Sequence, residues 1–114
     1  MTHLFTYGTL KRGFANHRLI EGAKFLGTWS VFGRMHSMGG YPAVVVNEKS
    51  SVQGELFDVS DEMLKSCDRL EIQFGYERRQ VLASNGDDEI LVQVYYYTRR
   101  ALDDRPIVES GVWT

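Results

Sequence analysis

A single cysteine, Cys67, occurs among the 114 residues, so no internal disulfide can form, and such sparse thiol usage fits a reducing compartment. No charged segment followed by a short apolar stretch opens the chain, and no apolar run approaches the roughly 18 residues of a membrane-spanning helix. Secretion and membrane spanning are not expected; a cytoplasmic location is. A basic excess is also missing, because 13 Lys and Arg face 15 Asp and Glu for a net charge of −2. Non-specific nucleic-acid binding draws on such an excess, and the basic clusters here, Lys11-Arg12, Arg78-Arg79 and Arg99-Arg100, are only pairs. Nucleic acid is therefore not an expected partner. Prolines number two, and no Pro/Gly/Ser linker, repeat or low-complexity tract divides the chain. One domain over residues 1–114 follows.

What is present is ordinary globular material, 43% hydrophobic and 25% charged, enough for a single core. Strand patterns dominate. Residues 4–7 form a short apolar strand, and residues 15–21 read as a short helix that docks Leu19 and Ile20. Residues 25–35 mix β-branched, aromatic and glycine residues as a bent strand does. Gly39-Gly40-Tyr41-Pro42 breaks the chain before a buried strand over residues 43–46. Residues 52–59 alternate, with Val52, Gly54 and Leu56 on one side. Ser60-Asp61-Glu62 is a helix start, a hydroxyl cap followed by two acids. That helix carries Leu64, Cys67 and Leu70 and is expected to end near Glu71. Residues 76–83 and 89–98 flank Asn85-Gly86, a hairpin signal, and Tyr95-Tyr96-Tyr97 must send rings to both sides of the sheet. The irregular last segment ends on Trp113, which is expected to dock on the body. These elements make an α+β fold: a small, mostly antiparallel β-barrel, closed or half closed to hide its edges, with two or three short peripheral helices.

Two places carry chemistry. At the first, the opening strand runs into Tyr7-Gly8-Thr9-Leu10 and then the basic turn Lys11-Arg12-Gly13. A strand end that breaks into such a turn can offer backbone N–H groups to a carboxylate or phosphate; the plain alternative is a surface turn with a solvated Lys-Arg pair. The second is Glu71. Positions 64, 67 and 71 share one helix face, so Glu71 follows Leu64 and Cys67 toward the core. An ionised carboxylate is expensive there unless it is paired or does chemistry. Either Arg78 or Arg79 pairs with it, or it sits at a frayed end, or desolvation raises its pKa into the range useful for proton transfer. Tyr76 and Arg78 are close enough in sequence to line the same cavity, and equally read as ordinary strand residues. Cys67 on that face reads as a small core residue rather than a nucleophile. His3, His17 and His36 have no metal-ligand spacing, and no nucleophile elbow is present.

Several motifs together resemble the gamma-glutamylcyclotransferase-like family, especially its gamma-glutamylamine cyclotransferase branch. They are Tyr7-Gly8-Thr9-Leu10 with Lys11-Arg12-Gly13 and Asn16-His17-Arg18 behind it, Gly40-Tyr41-Pro42-Ala43, Val52-Gln53-Gly54-Glu55-Leu56-Phe57, Asp68-Arg69-Leu70-Glu71, Tyr76-Glu77-Arg78 and the terminal Glu109-Ser110-Gly111-Val112-Trp113. The resemblance covers essentially the whole chain. It implies a small mixed β-barrel whose first loop holds the alpha-carboxylate of a gamma-glutamyl group, with Tyr7, Gly8, Thr9 and Leu10 as holders, Tyr76 beside them and Glu71 as the catalytic acid/base. It also implies a small gamma-glutamyl substrate, 5-oxoproline as product, and no metal or organic cofactor. One departure concerns the segment after the acid, where Ile72-Gln73-Phe74-Gly75 is shorter than the family commonly has, which bears on substrate choice. The competing reading is a non-catalytic module that binds a small carboxylate on the same fold; an interaction scaffold is a third, with no long amphipathic helix to support it.

Overall fold

The computed structural model describes all 114 residues. Five strands close into a barrel in the order β1-β5-β2-β6-β7: β1 Thr2–Thr6, β2 Lys24–Phe32, β5 Ser51–Val59, β6 Tyr76–Ser84 and β7 Glu89–Tyr97. The pairings are antiparallel except where β1 meets β7, so the barrel is mixed. Closure removes the exposed edges on which another chain could template. Two shorter strands, β3 Arg34–Ser37 and β4 Pro42–Val45, form a separate antiparallel ribbon.

The expected bent strand over 25–35 is thus two strands. At Gly33 the backbone N–H still reaches the Ser50 carbonyl, but beyond it the chain leaves β5 and pairs with β4 instead. The helix expected over 15–21 is a single 3-10 turn, His17–Ile20, with Ile20 fully buried. It and α1, Asp61–Gln73, are the helical elements. Ser60 caps α1 as its sequence requires, its hydroxyl accepting from the Met63 N–H at 3.2 Å. The helix runs past Glu71 and stops at Gly75, whose φ of +93° is a left-handed conformation open to glycine. Glu71 therefore lies inside a regular helix, not at a frayed end.

Alternation divides the core into two layers. Phe5, Val52, Leu56, Val92, Val94 and Tyr96 point into the barrel. Leu4, Phe57, Val59, Tyr95 and Tyr97 point outward, into a second layer that Cys67 of α1 and Ile20 cover. The three consecutive tyrosines do face both sides. The tail docks as well: Ser37 N–H donates to Pro106 O, Val108 N–H to Met35 O and Gln53 N–H to Gly111 O, and Trp113 packs against the barrel core.

Candidate active site

Where β1 leaves the barrel, residues 7–10 turn beneath the C-terminal half of α1 and enclose a cavity of about 170 Å³. Gly8 occupies the tightest point. A Cβ there would lie 2.7 Å from Pro42 Cγ, so only glycine lets the loop approach β4. Lys11 N–H donates to Gly8 O at 3.0 Å and Asn16 N–H to Thr9 O at 2.9 Å, while Asn16 Nδ2 donates to Thr9 Oγ1 at 2.9 Å. These bonds hold the turn from its carbonyl side. The N–H groups of Tyr7, Gly8, Thr9 and Leu10 donate no hydrogen bond within the chain, and all four residues line the cavity. A run of unengaged N–H groups at a cavity is what a carboxylate needs.

The basic residues beside the loop are committed elsewhere. Lys11 is buried, with Nζ donating to Trp113 O at 2.7 Å. Arg12 forks onto Glu55, which also accepts the Arg12 backbone N–H at 2.8 Å, and its guanidinium stacks over Phe25 at 3.7 Å. Neither lines the cavity. An anion bound here meets amides rather than cations.

Glu71 is the one carboxyl in the lining, which holds no Lys, Arg or His. None of the ion pairs includes it. Arg78 is taken by Asp68, one helical turn earlier, at 2.8 and 3.1 Å, and Arg79 lies near Glu77. Burial alone raises the Glu71 carboxyl to about 7, with no donor or cation to offset it. Asp68 behaves oppositely. Desolvation would lift it, but hydrogen bonds from Arg78 and from the Tyr95 hydroxyl at 2.6 Å hold it below its usual range. Two acids on one helix are thus driven apart by their surroundings, the pattern that separates structural from proton-transferring carboxyls.

Tyr76 lines the cavity with its ring, but its hydroxyl donates to Pro42 O at 2.7 Å. The Tyr7 hydroxyl likewise donates to Tyr95 O at 2.6 Å. Burial raises both phenols well above their ordinary value, and the nearby Glu71 charge adds to it; both stay neutral and act as walls and props. Of the two residues close enough in sequence to line the cavity, Tyr76 does and Arg78 does not. Cys67 is fully buried and its thiol is pushed up to about 12, chiefly by burial, so it is a core residue. Nine lining residues had no site role assigned in sequence, among them Asn16, Tyr41, Phe74 and Tyr95. Asn16 stands inside a quoted motif, and an aromatic on each of two breakers, before Pro42 and before Gly75, was the available signal for Tyr41 and Phe74.

A family model described as "Gamma-glutamyl cyclotransferase, AIG2-like" matches residues 4–114. A "Gamma-L-glutamyl-butirosin B gamma-glutamyl cyclotransferase" from Niallia circulans is 42% identical over 77 residues, which cover 66% of this chain and 49% of that protein; the match spans about half the length of that relative. A "Putative gamma-glutamylcyclotransferase" from Methanocaldococcus jannaschii is 34% identical over 117 aligned positions, 97% of this chain and 94% of the other. The crystal structure of an AIG2-like protein from Mus musculus superposes with a TM-score of 0.80 at 24% identity, covering 100% of this chain and 88% of that one, a likeness of fold. With its family signature running from β1 to the last residue, the chain belongs to the gamma-glutamyl cyclotransferase, AIG2-like family.

Proposed function

We propose that the protein is a cyclotransferase that releases 5-oxoproline from a gamma-glutamyl amine or gamma-glutamyl amino acid, with Glu71 as general acid/base. The observation that carries this reading is an unpaired, desolvated acid sharing a cavity with a loop of unengaged amides. The amides of residues 7–10 receive the substrate's alpha-carboxylate and place the alpha-ammonium near Glu71. The Glu71 carboxylate takes one proton from that ammonium. The freed amine nitrogen attacks the gamma-carbonyl carbon, closing a five-membered ring, and such an intramolecular closure gains chiefly from positioning. As the bond from that carbon to the departing nitrogen breaks, the proton on Glu71 passes to that nitrogen. The ring nitrogen then gives up its second, surplus proton to the departed amine, so the products are 5-oxoproline and the amine as its ammonium ion, and Glu71 returns to its carboxylate.

A carboxyl near 7 suits both halves of this cycle, since it is a competent base when ionised and a competent acid when protonated. A pure binding module would need the loop alone, and the buried charge would then be a liability without use. The test is to follow 5-oxoproline from a set of gamma-glutamyl amides with wild type and Glu71→Gln. Turnover is expected to fall by about two to four orders of magnitude; equal turnover by both overturns the mechanism.

A further inference from the structure

The side chains that reach solvent at the cavity mouth are two aromatic rings from distant parts of the chain. Of the lining residues, only Gly40, Tyr41 and Phe74 are exposed. Tyr41 is 38% and Phe74 51% accessible, and their rings pack against each other as a tilted pair, with centroids 6.5 Å apart at 59°.

Both rings stand on fixed backbone. Pro42, next to Tyr41, is clamped between the Tyr76 hydroxyl on its carbonyl and Gly8 against its ring. Phe74 ends α1, its N–H bonded to Glu71 O at 3.1 Å, and the following Gly75 carbonyl accepts from Thr98 N–H at 3.0 Å. Large apolar side chains held rigidly in water around a cavity are a feature that ligands cover.

Building on the cyclotransferase reading above, we propose that Tyr41 and Phe74 form the leaving-group subsite and select an uncharged, apolar or aromatic amine. With the carboxylate of the glutamyl unit at residues 7–10 and its amine at Glu71, the substituent on the scissile nitrogen is the part left to pass out of the mouth against the paired rings. No Lys, Arg, Asp or second Glu lines that exit, so a charged group on the departing amine loses its hydration there and gains no partner. An aryl or alkyl group instead removes both rings from water. These two residues lie in the segments between β3 and β4 and between α1 and β6.

The experiment compares gamma-glutamyl-phenethylamide with gamma-glutamyl-methylamide, which is too short to reach the rings, and with the cationic gamma-glutamyl-4-aminobutylamide. For wild type, kcat/KM on the phenethylamide is expected to exceed that on the methylamide about ten-fold or more, from the apolar area covered, with the aminobutylamide no better than the methylamide. Tyr41→Ser and Phe74→Ser each pull the phenethyl-to-methyl ratio toward one. Leu91→Ser, exposed on the barrel wall, leaves the ratio as it was. Calorimetric titration of Glu71→Gln with the same compounds reads the subsite without chemistry. The same preference in affinity supports the subsite even if no 5-oxoproline appears with wild type, an outcome that refutes the catalytic reading alone. Equal affinities for phenethylamide and methylamide, a preference untouched by the two serine variants, or a preference for the cationic amide overturns the subsite.

Discussion

Replacing Glu71 by glutamine is expected to make the protein more stable at neutral and alkaline pH while removing its activity. Raising a buried carboxyl from about 4.5 to about 7 means that the folded state holds its proton more tightly than the unfolded chain by about 3 kcal/mol. The sign follows from proton linkage. Between about pH 4.5 and 7 the folded state binds more protons at Glu71, so stability falls as pH rises through that window. At pH 4 the group is mostly protonated in both states and the penalty is small; by pH 8 it is fully developed. Glutamine cannot ionise and escapes it. Water entering the cavity relaxes part of the cost, so a gain of about 1–3 kcal/mol at pH 8 relative to pH 4 is expected, or about 4–12 °C in melting temperature for a chain of this length. Melting wild type and variant in parallel at pH 4, 6 and 8 isolates the effect, because every other titrating group is common to both and cancels. The penalty for burying a glutamine amide does not depend on pH and drops out of the comparison. A difference between the two proteins that stays flat from pH 4 to pH 8 refutes the claim that Glu71 is a desolvated, unpaired acid.

Other outcomes follow from the same geometry. The kcat/KM for 5-oxoproline release should rise with pH through a single ionisation near 7, as the base form of Glu71 appears; a profile flat from pH 5 to 9 contradicts the assignment. Gly8→Ala places a methyl group 2.7 Å from Pro42 Cγ and is expected to lower stability by about 1–3 kcal/mol and raise KM as the loop shifts, both measurable by denaturation and kinetics. Arg12→Ala breaks a half-exposed pair with Glu55, so stability should drop by about 1 kcal/mol or less while KM changes little. A large rise in KM for this variant would mean that the guanidinium, not the amides, holds the substrate's carboxylate.

The parts of the fold that were legible in sequence are those where local chemistry and burial agree. β6 and β7 lie within a residue of their expected spans because Asn85-Gly86 supplies its own turn: Asn85 Oδ1 accepts from the N–H groups of Asp87 and Asp88, and Gly86 takes a φ of +99°. Ser60 places α1 by the same kind of local bond. The strand over 25–35 misled because nothing local marks the handover from β5 to β4; that exchange is decided by which partner is in reach. Residues 15–21 shrink to one turn because Asn16 is tied to Thr9 through both its N–H and its side chain, so the helical turn begins only at His17. In the site, helix periodicity was enough to turn Glu71 toward Cys67. Which acid Arg78 would reach was not legible, because it depends on where β6 crosses α1, and there Asp68 meets the guanidinium in a two-point contact.

On the proposed mechanism, the diversion of cations away from the cavity is itself part of the chemistry. A lysine or arginine within about 4–6 Å of a carboxyl lowers its pKa by about 1–3 units, which would return Glu71 to an ordinary, weakly basic carboxylate. The same cation would bind the substrate's carboxylate well, so one residue cannot serve both needs. Backbone amides resolve the conflict, because they offer directed partial charges to the anion while carrying no net charge that reaches the acid. Arg78 held by Asp68, Arg12 held by Glu55 and Lys11 held by the Trp113 carbonyl are then three separate ways of keeping full positive charge off the Glu71 side of the cavity. In the basic turn itself even the N–H groups are engaged, Lys11 with Gly8 O and Arg12 with Glu55, so the unengaged amides are those of residues 7–10 just before it.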